Sequence, residues 1–198
     1  EVYFRTWTFP GKEIGVKLAG IVKDVETWIT LWLPDSQDLI AYFNLLDALR
    51  VAGVSKHNIS VRMPYVPYAR QDRVCHEGES NALEVFSRMF RHMSYCREVV
   101  IDDPHSGVTF EELYSNSYQL KSNPQNFCAR HLPIYNTLIA PDNGAHAKAQ
   151  SHAQVYSKQA DCVFLTKTRS AVGVAYEDYK QDALVGTACV VDDLCDGG

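Results

Sequence analysis

Short apolar runs recur along this chain, and several of them run straight into charged residues. They lie near Val2–Phe4, Thr27–Leu33, Ile59–Met63, Glu98–Ile101, Thr137–Ala140, Cys162–Leu165 and Ala188–Val191. Runs of this length, rich in β-branched residues, read as strands. Helical stretches separate them. Gln37–Ala52 carries Leu39, Phe43, Leu46 and Leu49 at helical spacing, and Gly53 follows as a C-terminal cap. Asn81–Met93 starts behind Ser80 or Asn81 as an N-cap, and Gly144–Ser157 is alanine-rich. Strands alternating with helices imply parallel βαβ units in doubly wound α/β sheets. The stretch Ser115–Pro133, with Asn123–Pro124 and Pro133, reads as a junction. It divides the chain into residues 1–118 and 119–198.

Composition excludes several classes. A chain of 198 residues holds one large or two small domains. Its net charge of −5 argues against nucleic acid or an anionic membrane surface as the main partner. No apolar run reaches the roughly 18 residues of a membrane span. The N-terminus, Glu1–Val2–Tyr3–Phe4–Arg5, lacks the features of a signal peptide and lacks a starting Met. The six cysteines form no Cys-x-x-Cys pair. That argues against a disulfide scaffold or zinc ribbon, and for reduced thiols in a cytoplasmic protein.

In open α/β sheets, ligands bind beyond the C-terminal ends of strands. Five such ends carry chemistry. After Ile59–Met63 come two prolines, two tyrosines, then Arg70, Gln71, Asp72 and Arg73. The arginines suit phosphates, and the Gln71 amide suits an adenine edge; the plain alternative is a solvated loop. After Glu98–Ile101 come Asp102, Asp103, Pro104 and His105, suited to a metal or a triphosphate, though a lone His is more often structural. After Thr137–Ala140 comes Asp142, then Asn143–Gly144–Ala145 opening a helix. An Asp there can hold Mg²⁺ bridging phosphates, or simply cap the helix. After Phe164 come Lys167 and Arg169, cations able to neutralise charge on a transferring phosphoryl group, or, standing alone, an ordinary basic loop. After Ala188–Val191 come Asp192, Asp193, Asp196, Gly197 and Gly198. The carboxylates suit a sugar diol, and the glycines let backbone N–H groups approach phosphate.

The ensemble resembles the ribose-phosphate pyrophosphokinase family, also called phosphoribosyl pyrophosphate synthetases, in the family's own order. Tyr68–Ala69–Arg70–Gln71–Asp72–Arg73 matches its ATP loop. Asp103–Pro104–His105 matches its Asp-Leu-His metal site, with Pro for Leu. Pro141–Asp142–Asn143–Gly144–Ala145 matches Pro-Asp-x-Gly-Gly, with Ala for the last Gly. Lys167–Thr168–Arg169 matches its Lys-Arg-Arg loop, with the middle Arg lost. Val191–Gly198 matches the start of its phosphoribosyl-binding loop, and Phe9–Pro10–Gly11–Lys12–Glu13 resembles Phe-Ser-Asp-Gly-Glu.

The resemblance implies two doubly wound domains of the type I phosphoribosyltransferase fold, the second truncated at its C-terminus. It implies Mg²⁺-dependent transfer of the β,γ-diphosphate of ATP to the anomeric hydroxyl of ribose 5-phosphate. Arg70, Gln71 and Arg73 would bind ATP, with Phe9 and Glu13 completing a neighbouring subunit's site in a homo-oligomer, a dimer or hexamer. His105 and Asp142 would hold Mg²⁺, and Lys167, Arg169 and His105 would serve catalysis. Asp192, Asp193, Asp196, Gly197 and Gly198 would hold the ribose. The strings Arg73–Val74–Cys75 and Asp192–Gly198 resemble a phage and NAD-salvage subgroup, some of whose members use ADP-ribose as acceptor, a rival substrate. A phosphoribosyltransferase and a silent regulatory homologue are alternatives. The ATP loop disfavours the first, and the retained His105, Lys167 and Arg169 disfavour the second.

Overall fold

The computed structural model describes residues 3–20, 23–33, 35–102, 104–105, 111–122, 135–156, 161–170, 173–176 and 186–192. The chain divides into two units, Glu1–Pro124 and Gln125–Gly198.

The first unit opens with a hairpin that the strand reading near Val2–Phe4 only touches. Strand β1 (Phe4–Thr8) pairs antiparallel with β2 (Ile14–Leu18), Phe4 opposite Leu18 and Thr8 opposite Ile14. Its turn closes through Phe9 N–H to the Glu13 carbonyl at 2.8 Å, with Lys12 at φ +74°. Four parallel strands follow, β3 (Thr27–Thr30), β4 (Ile59–Met63), β5 (Glu98–Ile101) and β6 (Gln119–Ser122), adjacent in chain order. β6 completes this sheet from within the stretch that the sequence marks as a junction, and the division between units falls after Pro124.

Right-handed crossovers between strands in sequential order place successive helices on one face. Helix α1 (Ser36–Val51) and helix α2 (Ala82–Met93) accordingly meet, Tyr42 stacking on Phe90 at 5.8 Å. Between them and the sheet lie Leu46, Leu49, Ile59, Val61, Met63, Phe86, Val99 and Ile101, all buried. Both helices start on side-chain caps. Asp35 accepts from the Gln37 and Asp38 amides at 2.7 and 3.0 Å, and Asn81 accepts from Glu84 at 2.9 Å. At the end of α1, Gly53 at φ +83° donates to Arg50 and Val54 donates to Leu49. That is a Schellman closure, and it needs the left-handed residue.

In the second unit β7 (Thr137–Ala140) lies between β8 (Asp161–Phe164) and β11 (Ala188–Val190), all parallel. Helix α3 (His146–Tyr156) connects β7 to β8. Its approach to the sheet is lined by Ala140, Ala145 and Ala149, whose small side chains let helix and strand come close. β9 (Lys167–Ser170) and β10 (Gly173–Tyr176) form a separate antiparallel hairpin that sequence reading leaves as loop. Among the described residues, no helix is long and apolar enough to cross a membrane.

Candidate active site

In the first unit, the loop leaving β4 is built as a rigid ledge. Val66 and Ala69 are buried while Arg70 and Arg73 are exposed. The Ala69 amide donates to Val66, and the Gln71 amide donates to the Tyr68 carbonyl at 2.8 Å. Tyr68 adopts φ +63°, the left-handed region that a bulky residue rarely enters. Two bonds clamp the loop to the start of α2: Leu83 N–H to the Gln71 carbonyl at 3.2 Å, and Asn81 Nδ2 to the Asp72 carbonyl at 3.1 Å.

The ledge forms one wall of a cavity of about 540 Å³ lined by Arg70, Gln71, Tyr65, Tyr68 and the start of α1 at Asp35 and Ser36. A second cavity of about 790 Å³ is mostly apolar and shares Tyr68, Ser36 and Leu39 with the first. Glu13 lines this second cavity in its own chain, held there because Asn44 of α1 donates to the Ile14 carbonyl at 3.1 Å. Phe9 is exposed and lies edge-on to Trp7 at 5.7 Å. After Arg73 the chain curls back, Glu79 accepting from the Cys75 and His76 amides.

His105 is exposed, three residues beyond Asp102, which itself follows β5 directly. Asp102 is tied to β4 by its amide, bonded to the Met63 carbonyl at 3.1 Å, and by its carboxylate, bonded to Arg62 Nε at 2.6 Å. Sequence reading passes over Arg62. The signal was available, because it is the one charged residue in the otherwise uncharged strand Ile59–Met63.

In the second unit the order β11-β7-β8 reverses at β7, the kind of switch point at whose C-terminal strand ends open α/β sheets bind ligands. Asp142 lies two residues past β7, Asp192 two residues past β11, and Lys167 three residues past β8. Three strand ends thus deliver two carboxylates and an ammonium to one edge. Asp142 caps the turn into α3. Its Oδ1 accepts from the Gly144 amide at 2.9 Å and the Ala145 amide at 3.2 Å. Lys167 is half-buried opposite Tyr176 in the hairpin, and Arg169 lies opposite Val174. Asp103, Asp193, Asp196, Gly197 and Gly198 lie outside the described residues. His105 belongs to the first unit and Asp142 to the second. No group of three or more His, Cys, Asp or Glu side chains suited to a metal occurs among the described residues.

No protein-family model matches the chain. Curated relatives do. The chain is 29% identical over 150 residues to a ribose-phosphate pyrophosphokinase of Pyrococcus abyssi, covering 74% of this chain and 50% of the relative. With that of Methanobrevibacter smithii it shares 24% over 170 residues, covering 84% and 55%. With that of Saccharolobus solfataricus it shares 24% over 197 residues, covering 96% and 66%. The chain therefore spans about half to two thirds of the relatives' length. A crystal structure of phosphoribosylpyrophosphate synthetase from Mycobacterium smegmatis superposes with a TM-score of 0.63 at 20% identity, covering 85% of this chain and 57% of that one. The chain has the α/β fold of that synthetase, the type I phosphoribosyltransferase fold, and is a homologue of the ribose-phosphate pyrophosphokinases over most of its length.

Proposed function

We propose that this chain carries the substrate-binding ledges of an ATP-dependent diphosphotransferase. The transfer moves the β,γ-diphosphate of ATP to the anomeric hydroxyl of ribose 5-phosphate. The acceptor oxygen forms a bond to the β-phosphorus, the bond from that phosphorus to the α,β-bridging oxygen breaks, AMP leaves with the electron pair, and the hydroxyl proton passes to solvent. One observation carries the reading: Asp142, Asp192 and Lys167 follow the C-terminal ends of three parallel strands of the second sheet, where a phosphorylated sugar would bind.

Each group has a role that its chemistry supports. Arg70 and Gln71 face a cavity of ligand size, where a guanidinium grips phosphate and an amide reads a base edge. Lys167 and Arg169 place positive charge where negative charge spreads in the transition state. Asp192, with Asp193 and Asp196 following it in the sequence, accepts from the ribose hydroxyls. Mg²⁺, when bound, would neutralise phosphate charge. Asp142 suits it: Oδ1 is taken by two amides, and Oδ2 remains as a hard oxygen donor for a cation that needs few protein ligands. In the first unit, exposed His105 beyond β5 is the group we assign to metal or phosphate binding. Exposed Phe9 completes the ATP site of a second copy, and sedimentation tests that assembly.

The reading is tested by following ATP consumption with the full-length protein and Mg²⁺, with each acceptor in turn. AMP release that depends on ribose 5-phosphate supports it; ADP release, or consumption indifferent to acceptor, sinks it. The strings Arg73–Val74–Cys75 and Asp192–Gly198 favour a second reading with ADP-ribose as acceptor. A kcat/KM at least about tenfold higher for ADP-ribose, or ~1.4 kcal/mol in transition-state binding, makes that the substrate.

A further inference from the structure

Arg62 and Asp102 join the ends of neighbouring strands. Arg62 is the penultimate residue of β4, and Asp102 is the first residue past β5. Nε donates to Oδ2 at 2.6 Å. The carboxylate side chain is only 11% exposed and the arginine side chain 38%. A second bond, Asp102 N–H to the Met63 carbonyl, runs parallel to it. Alternation along β4 puts Arg62 on the face shared with Ser60, opposite the helices, since Ile59, Val61 and Met63 fill the core. Arg62 is therefore not needed for the core, and the same position would accept an apolar residue.

What the pair does follows from where the two strands lead. β4 runs into the ledge Pro64–Arg73, and His105 lies four residues past the end of β5. Backbone ladder bonds fix the strands up to Met63 and Ile101, the last register pair. Beyond that point the Asp102 amide and the Arg62–Asp102 ion pair continue the constraint. An exposed ion pair does little. A carboxylate this far removed from water makes a firmer bond to its guanidinium than an exposed one does. The bond therefore holds one geometry at the place where two functional loops diverge.

We propose that Arg62 and Asp102 are positioning residues that set the spacing between the Arg70–Gln71 ledge and His105. The proposal rests on the reading of those two segments as parts of one nucleotide site. Partners that orient first contacts commonly change ligand affinity 10–100-fold when lost, on the order of what a small displacement costs.

The test uses the full-length protein and measures three things: the dissociation constant of ATP with and without Mg²⁺, kcat against KM, and the melting temperature. Arg62→Met is expected to weaken ATP binding about tenfold or more and to raise KM more than it lowers kcat. Arg62→Lys, which keeps a charged donor, restores most of the affinity. Arg62→Met with Asp102→Leu removes both charges; it regains melting temperature but not ATP affinity, which separates positioning from plain stabilisation. If Arg62→Met does not fold, Asp102→Asn, nearly the same shape, is read in the same way. ATP affinity within twofold of wild type in a folded variant overturns the proposal, as does a double variant that recovers affinity together with stability. A wild-type protein that binds no ATP overturns the functional reading itself, which is a different result.

Discussion

The Gln71 amide donates to the Tyr68 carbonyl at 2.8 Å while Tyr68 holds φ +63°. The strained residue and the residue that faces the cavity are thus parts of one turn. Its ring packs at 6.2 Å from Phe86, which gives the surroundings a means to hold the conformation. Strain of this kind persists only where neighbours over-determine it, and such sites are often functional.

That conformation reverses an ordinary ranking. Tyr68→Ala loses the ring contact and keeps the strain, whereas Tyr68→Gly loses the contact and relieves ~1–2 kcal/mol of it. Glycine's larger unfolded-state entropy returns about 0.4–1 kcal/mol. The Gly variant should therefore be at least as stable as the Ala variant in urea unfolding. An Ala variant more stable by about 1 kcal/mol, the usual order, would contradict the assigned backbone.

Asp142 serves the fold and, in our reading, the chemistry, and two substitutions separate them. Asp142→Ala removes the oxygen that receives the Gly144 and Ala145 amides, costing ~1 kcal/mol. Asp142→Asn keeps a capping oxygen and should cost little stability while raising the Mg²⁺ requirement. Unfolding midpoints and Mg²⁺ titrations of activity check both. An Asn variant with normal Mg²⁺ dependence would leave Asp142 a cap alone.

Stability in acid should follow Glu98. Its carboxyl is lowered to about 2, first by the hydrogen bond from Lys121 and then by bonds from Arg97 and Ser60, with burial opposing. An unfolded Glu titrates near ~4.3. The folded value is depressed, so this contribution is complete above about pH 4.3 and is lost as pH falls toward 2. Denaturant midpoints measured across that window should fall, and Glu98→Gln should flatten the fall while lowering stability at neutral pH. An unchanged slope in the Gln variant would show that other carboxylates govern the acid limb.

How much of this was legible in the sequence depended on how the residues are buried. β4, β5 and β7 stand where the apolar runs Ile59–Met63, Glu98–Ile101 and Thr137–Ala140 put them, because continuous burial leaves a continuous apolar run. β1 is exposed along its whole length and β6 carries Gln119, Lys121 and Ser122, so neither offers that signal. β6 is held by its ladder to β5 and by Lys121, which finds Glu98 from 23 residues away. The caps at Asn81 and Gly53 were readable because residue type decides them locally. Tyr68 was not, since nothing in Tyr favours a left-handed backbone. The Arg62–Asp102 bond joins residues 40 apart, and only strand pairing brings them together.

Lys167 and Arg169 should act on the transition state. Replacing either by Ala should lower kcat on the order of 10²–10³, as loss of a charge-stabilising donor does, with ATP affinity little changed. Steady-state kinetics with parallel ATP-binding measurements check this. Near-normal kcat in both variants would remove them from the chemistry.

The central claim is that a diphosphate moves intact from ATP to the anomeric oxygen of a phosphorylated ribose. Phosphorus NMR of the reaction of the full-length protein with ATP, Mg²⁺ and ribose 5-phosphate tests it most directly. The account predicts AMP together with two mutually coupled phosphorus signals on the sugar's anomeric oxygen, rising at equal rates. ADP with a singly phosphorylated sugar, or free inorganic diphosphate with unmodified acceptor, would contradict it.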